Sequence, residues 1–186
     1  MKLFQKIFRK LKYLILTINY KVFYSKPHEG YNNLALNRSI IKKTIIFSQN
    51  ISVNKFDINY RRTLKFLEFV KKKKLKNIID FGGGAGFHYF IAKKEMPYFN
   101  FKWFVIENNI MVRLCNKVLY HKKLFFFNSL TPIKKTDIFF SSCAINYTQD
   151  PIKTIKSIIK LNTKYLYFTR MPLTENQSLE FKQISL

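Results

Sequence analysis

The segment Asn77-Ile78-Ile79-Asp80-Phe81-Gly82-Gly83-Gly84-Ala85-Gly86 constrains this chain more than any other. A short apolar run passes an acid and enters a turn holding four glycines, and a helical pattern follows from Phe87 to Lys94. Glycines let a backbone take positive φ and approach a ligand with no Cβ in between. A helix N-terminus behind such a turn offers free N–H groups to polar ligand atoms. Together they predict a strand–turn–helix unit that holds a nucleotide-like ligand at the carboxyl end of a parallel strand. A glycine turn without a ligand is the plainer reading; the acid and four glycines directly after an apolar strand argue against it. The spacing excludes two common sites. A dinucleotide turn needs a small residue where Phe87 stands, and a P-loop needs a Gly-Lys-Ser/Thr ending.

From Asn77 onward, strands and helices alternate. The apolar runs Asn77–Phe81, Phe101–Ile106, Leu124–Phe127, Asp137–Ser141 and Tyr165–Thr169 read as strands. Helical patterns cover Asn37–Ser48, Asn59–Lys74, Asn109–Tyr120 and Ile152–Leu161, the last opened by Asp150 as a cap and Pro151 at the first helical position. Such alternation predicts an α/β, Rossmann-like three-layer sandwich around a mainly parallel sheet. The expected division is a basic helical N-terminal extension, residues 1–58, and a ligand-binding domain, residues 59–186. Within the extension, Leu3, Phe4, Ile7, Phe8, Leu11, Leu14, Ile15 and Ile18 recur at helical spacing among lysines. Residues 1–24 therefore read as an amphipathic helix that either caps the core or lies on an anionic membrane. Lys26–Gly30 reads as a turn.

Composition bears on partners. The formal net charge of +24 points to a polyanion. Yet Lys, Asn, Ile, Phe and Tyr dominate the chain, a bias an AT-rich genome produces whatever the function. Lys also far outnumbers Arg, the residue that reads bases bidentately, so nucleic acid is not the favoured partner. Cys115 and Cys143 form neither a metal motif nor a disulfide framework, which fits a reducing cytoplasm, with peripheral membrane contact as the alternative. No apolar run is long enough to span a bilayer.

The pattern Asp80-x-Gly82-x-Gly84-x-Gly86 resembles motif I of the class I S-adenosylmethionine (SAM) methyltransferases. The resemblance implies SAM as cofactor, with Asp80, Gly82, Gly83, Gly84 and Gly86 at its methionine end. Glu107 ends the second strand, where an acid can accept hydrogen bonds from both ribose hydroxyls, and Asn108 stands beside it. Asn128 follows the third strand at the edge that faces adenine in such a site, though a simple turn accounts for it equally. Ser141 ends the fourth strand, where Ser141–Tyr147 would pass under the methyl group. No Asp/Asn-Pro-Pro-aromatic run occurs there, so amino methylation of nucleic acid is not indicated. Cys143 lacks the preceding proline of a pyrimidine-methylating nucleophile and reads as a small buried thiol. No catalytic base is identified. His88 at the helix start is a candidate base or a packing residue, Tyr147 lines the site or packs, and Arg170 is a candidate anchor for an anionic substrate.

Several longer segments resemble a bacterial family of methyltransferases found among surface-polysaccharide genes. They are Asp80–Gly83, Gly86–Phe90, Trp103–Glu107, Phe140–Ser142 with Tyr147 and Asp150-Pro151, and Thr169–Pro172, within roughly residues 28–175. Membership implies methyl transfer to a small-molecule acceptor, such as a sugar or glycan precursor. One departure stands out. A full class I sheet has seven strands, whereas this chain ends soon after the fifth, so either it is naturally minimal, or its last strands are truncated, or a partner chain completes the sheet. Two alternatives follow: a non-catalytic or truncated SAM-fold protein acting as a partner subunit, and an RNA methyltransferase.

Overall fold

The computed structural model describes residues 30–49 and 57–171. The amphipathic segment, the Lys26–Glu29 turn and the tail Leu173–Leu186 lie outside the described residues.

The elements run α1 (Leu34–Gln49), α2 (Ile58–Lys72), β1 (Asn77–Phe81), α3 (Phe87–Glu95), β2 (Lys102–Ile106), α4 (Asn109–Val118), β3 (Leu124–Phe127), β4 (Ile138–Ser142), α5 (Pro151–Ile159) and β5 (Tyr165–Thr169). Local chemistry sets their starts. The Asp57 carboxylate accepts from the Asn59 and Tyr60 amides at 2.7 and 3.0 Å and opens α2. Asn108 caps α4 through Met111 N at 2.9 Å, and Asp150 caps α5 through Lys153 N at 2.8 Å with Pro151 behind it. Lys71 and Lys72 fill the last turn of α2, where cations suit the helix dipole.

The five strands form one parallel sheet in the order β3-β2-β1-β4-β5. This is the doubly wound order, with its switch point between β1 and β4. The sheet is Rossmann-like, as the alternation predicts. Side chains alternate between its faces. Ile78, Trp103, Val105, Ile138 and Phe140 join the larger core with residues of α1 to α4. Ile79, Ile106 and Phe139 join Ile158 of α5 and Ile145 in a smaller one. Phe66 of α2, fully buried, centres the larger core: its ring stacks on Phe140 at 4.1 Å and meets Tyr167 and Trp103 edge-on. Ile41 brings α1 into the same cluster.

β4 starts at Ile138 rather than Asp137 because Asp137 serves as a clamp. Its Oδ2 accepts from the Lys76 and Asn77 amides, both at 2.9 Å, and its Oδ1 lies 3.5 Å from the Lys164 ammonium. Its own backbone N–H reaches Asn77 O and its C=O takes Tyr165 N–H, so one residue ties β1, β4 and β5 at their amino ends. Among the described residues, β5 pairs only with β4, and no helix is long and apolar enough to cross a membrane.

Candidate cofactor site

The carboxyl ends of β1, β2 and β4 open into a cleft of about 360 Å³ at the switch point, lined by Gly82, Glu107, Asn108 and Asn128 among others. Gly82 takes φ 72°, and a Cβ there would fall 2.1 Å from Ala144 Cβ. The β1 turn and the segment after β4 therefore touch through a glycine, which sets the floor of the cleft. Gly83 has no room either. Its Cβ would meet the Asp80 carboxyl at 2.5 Å.

Asp80 consequently stands elsewhere than a motif-based reading puts it. It is fully buried and lies under the glycine turn. Its Oδ2 accepts from Trp103 Nε1 at 3.0 Å and lies 3.0 Å from His88 Nδ1, while Oδ1 is buried without a hydrogen-bond partner. Its role is to support the turn rather than to line the cleft. Two further positions change in the same way. Ser141 is buried with its hydroxyl unpartnered, and Ser142 lines the cleft in its place. Gly86 caps α3 and faces Leu124 and Phe126, where a Cβ would come within 3.1 Å; it packs the helix against β3 instead of meeting the cleft.

Glu107, expected to hold the ribose, sits at the end of β2 on the cleft wall. Its Oε1 accepts from Gly84 N and its Oε2 from Asn108 N, both at 3.0 Å. Burial pushes this carboxyl above the usual range, and the Asp80 charge adds to the effect; the Asn108 and Gly84 hydrogen bonds oppose them. Oε2 also accepts from Asn108 Nδ2 at 3.2 Å, while Oε1 keeps acceptor capacity beyond the Gly84 amide, so a ribose hydroxyl can still be bound. Asn128 is exposed on the far wall, and its amide donates to Asn109 Oδ1 at 2.6 Å.

Tyr31 and Asn37 join the site without an obvious sequence signal. Asn37, buried inside α1, donates to the carbonyls of Tyr31 and Asn33, both at 2.7 Å. The Asn108 side chain reaches Tyr31 O and Asn37 Oδ1 at 3.3 Å each. This network fastens the start of α1 over the end of β2 and brings Tyr31 to the cleft. A buried Asn on a helical face is the one trace such a network leaves in the sequence.

A second chamber of about 240 Å³ opens on the other side of the turn. Gly82, Gly83, Gly84, His88, Arg62 and Thr169 line it with residues that include Ser142 and Arg170. His88 faces it with a side chain 15% exposed, its Nδ1 turned to Asp80. Tyr147, in the turn after β4, lies at the first cleft with Cys143. Burial pushes the Tyr147 hydroxyl up, Cys143 and Tyr31 add to that, and Arg170 opposes it. Cys115 is fully buried, and desolvation pushes its thiol up to about 12, so it is inert packing. Among the described residues no cluster suits a metal ion.

The sequence matches no protein-family model and no curated protein. Solved structures with a similar fold include human N-acetylserotonin methyltransferase in complex with SAM, 14% identical at TM-score 0.47 over 68% of this chain and 36% of that one. The plantazolicin methyltransferase BpumL with a pentazolic desmethylPZN analog and SAH is 16% identical at TM-score 0.44, over 73% and 57%. A SAM-dependent methyltransferase from Aquifex aeolicus is 22% identical at TM-score 0.42, over 61% and 71%. This chain spans about a third of the first and a little over half of the second.

Proposed function

We propose that the protein is a SAM-dependent methyltransferase acting on a small-molecule acceptor, of which a sugar or glycan precursor is the form the sequence resemblance favours. The observation that carries this reading is the placement of Glu107. A half-buried carboxylate ends β2, within hydrogen-bond distance of a glycine-turn amide, in the cleft at the switch point of a doubly wound sheet. An adenosine diol needs that acceptor there. Asn108 holds the carboxylate, Asn128 offers amide groups to a base edge, and Ile106 and Phe81 supply apolar wall. Gly82–Gly84 present backbone without side chains to an amino-acid tail, and Arg62 in the adjoining chamber offers a cation for its carboxylate. When bound, SAM supplies a methyl group on a positive sulfonium. The remaining task of this chain is to line up an oxygen or nitrogen nucleophile and exclude water.

The open edge of β5 among the described residues favours a second reading, a SAM-fold subunit completed by a partner chain. Both readings place the protein in the cytoplasm, where SAM is made, with peripheral membrane contact through residues 1–24 as a further part of the proposal. One assay separates them. The protein is incubated with methyl-labelled SAM and a small-molecule extract. Label transferred to the low-molecular-mass fraction is the expected result. Cofactor binding with no label in any fraction would contradict catalysis by the isolated chain and leave the subunit.

A further inference from the structure

The two chambers meet at three residues, Gly82, Ser142 and Arg170, which line both. With an adenosine half in the first chamber and an amino-acid half in the second, the sulfonium that joins them would lie near that junction, and an acceptor would have to reach its methyl there. The rim beside it has its own chemistry. Tyr31 and Tyr147 stand edge to face, ring centroids 5.5 Å apart, and remain 53% and 44% exposed. Thr148 adds a hydroxyl-bearing side chain to the wall. Arg170 is exposed, and its charge partly offsets the burial that pushes the Tyr147 hydroxyl up. The wall carries one carboxylate, Glu107, already engaged by Gly84 and Asn108.

The backbone is unusual at the same place. Cys143 and Arg170 are the residues that follow β4 and β5, and both take left-handed conformations, φ 63° and 58°. Cys143 N donates to Thr169 O at 3.0 Å, so the two bends are adjacent. A side chain in the left-handed region is strained where glycine is not. Strain of this kind collects at sites where a side chain is needed in a set place. Two half-exposed aromatic rings offer faces and edges to a ring, while a guanidinium pairs with carboxylate or phosphate oxygens.

We propose that Tyr31, Tyr147 and Arg170 form the acceptor site and select a hydroxylated ring compound carrying a carboxylate or phosphate. This deepens the methyltransferase reading and rests on it for the word acceptor. The rings hold the acceptor's ring by contact, and Arg170 holds its anionic end. The acceptor hydroxyl is thereby turned toward the junction at Gly82 and Ser142.

The test is calorimetric. Wild type, Arg170→Gly and Tyr147→Ala, each with and without S-adenosylhomocysteine, are titrated with para-hydroxybenzoate and with glucose-1-phosphate. Para-hydroxybenzamide and glucose serve as uncharged counterparts. One anion is expected to bind about tenfold or more tightly than its uncharged counterpart. Which anion does so identifies the source as an aromatic acid or a sugar phosphate. Arg170→Gly is expected to abolish that difference with thermal stability unchanged or raised, because glycine accepts the left-handed backbone. Tyr147→Ala is expected to weaken the charged and uncharged members of the pair together.

Three results would overturn the proposal: no binding of either anion, equal binding of charged and uncharged members, or a preference that survives Arg170→Gly. The last would assign the anion to the general +24 surface. Absence of S-adenosylhomocysteine binding would sink the methyltransferase reading alone, since the titrations without it still decide whether the rim takes an anionic ring.

Discussion

At the scale of single residues, the site depends on groups that are missing as much as on groups that are present. Gly82 brings the β1 turn against Ala144, and Gly83 lets the turn lie on the Asp80 carboxyl. Gly82→Ala would combine a left-handed alanine with a Cβ 2.1 Å from Ala144 Cβ. The backbone strain and the overpacking together predict a loss of about 2–4 kcal/mol, read by urea denaturation. A variant as stable as wild type would show that the two segments separate freely. Asp80 shows the limit of reading such a motif from sequence. An acid beside glycines looks like a ligand-binding group. What decides its role is Trp103, which comes from the neighbouring strand to donate to it, and His88, two residues past the last glycine. Neither partner is visible in the local pattern. Ser141 and Ser142 illustrate the same point: adjacent residues of one strand point to opposite faces, and the strand runs one residue further than read, so that Ser142 ends it and meets the cleft while Ser141 stays buried.

At the scale of elements, boundaries were legible where the chemistry was local. β1, β3 and β5 begin and end as read because apolar runs meet glycine, asparagine, lysine or arginine at their ends. The two strand starts that shifted, β2 and β4, did so for tertiary reasons. Phe101 is buried in the core before the ladder begins, and Asp137 is occupied as the clamp of three strand ends. That clamp carries a pH-dependent prediction. Burial alone would push the Asp137 carboxyl up; the Lys76 and Asn77 amides, the Asn77 side chain and the Lys164 charge outweigh it and hold it below the usual carboxylate range. A depressed folded value means that its stabilisation is fully present above the unfolded value, about 3.9, and is lost as pH falls through the lower folded value. Asp137→Asn should therefore cost about 1–3 kcal/mol at neutral pH in denaturant unfolding. The gap to wild type should close as pH drops below about 4. A gap that stays constant into strong acid would mean the carboxylate charge plays no part.

At the scale of the whole molecule, the strand order decides where a ligand can sit; alternation predicted a parallel sheet, and the packed chain supplies the order β3-β2-β1-β4-β5. A doubly wound parallel sheet leaves its ligand crevice at the carboxyl ends on either side of the switch point. The glycine turn, Glu107 and the segment after β4 converge there because β1, β2 and β4 are neighbours. What alternation did not show is the wall supplied by α1. Asn37 and Asn108 meet across 71 positions of sequence, and only the packed chain brings Tyr31 over the cleft. The proposed function requires this crevice to hold SAM by its ribose through Glu107. Burial holds the Glu107 carboxyl above its usual range, so its ionised form costs the fold stability, and a variant lacking it is expected to stay folded. The most direct measurement is calorimetric titration of wild type and Glu107→Ala with S-adenosylhomocysteine. One site per chain is expected in wild type, weakened about tenfold to a hundredfold in a variant that remains folded. Binding of equal strength in the two proteins, or none in a folded wild type, would contradict it.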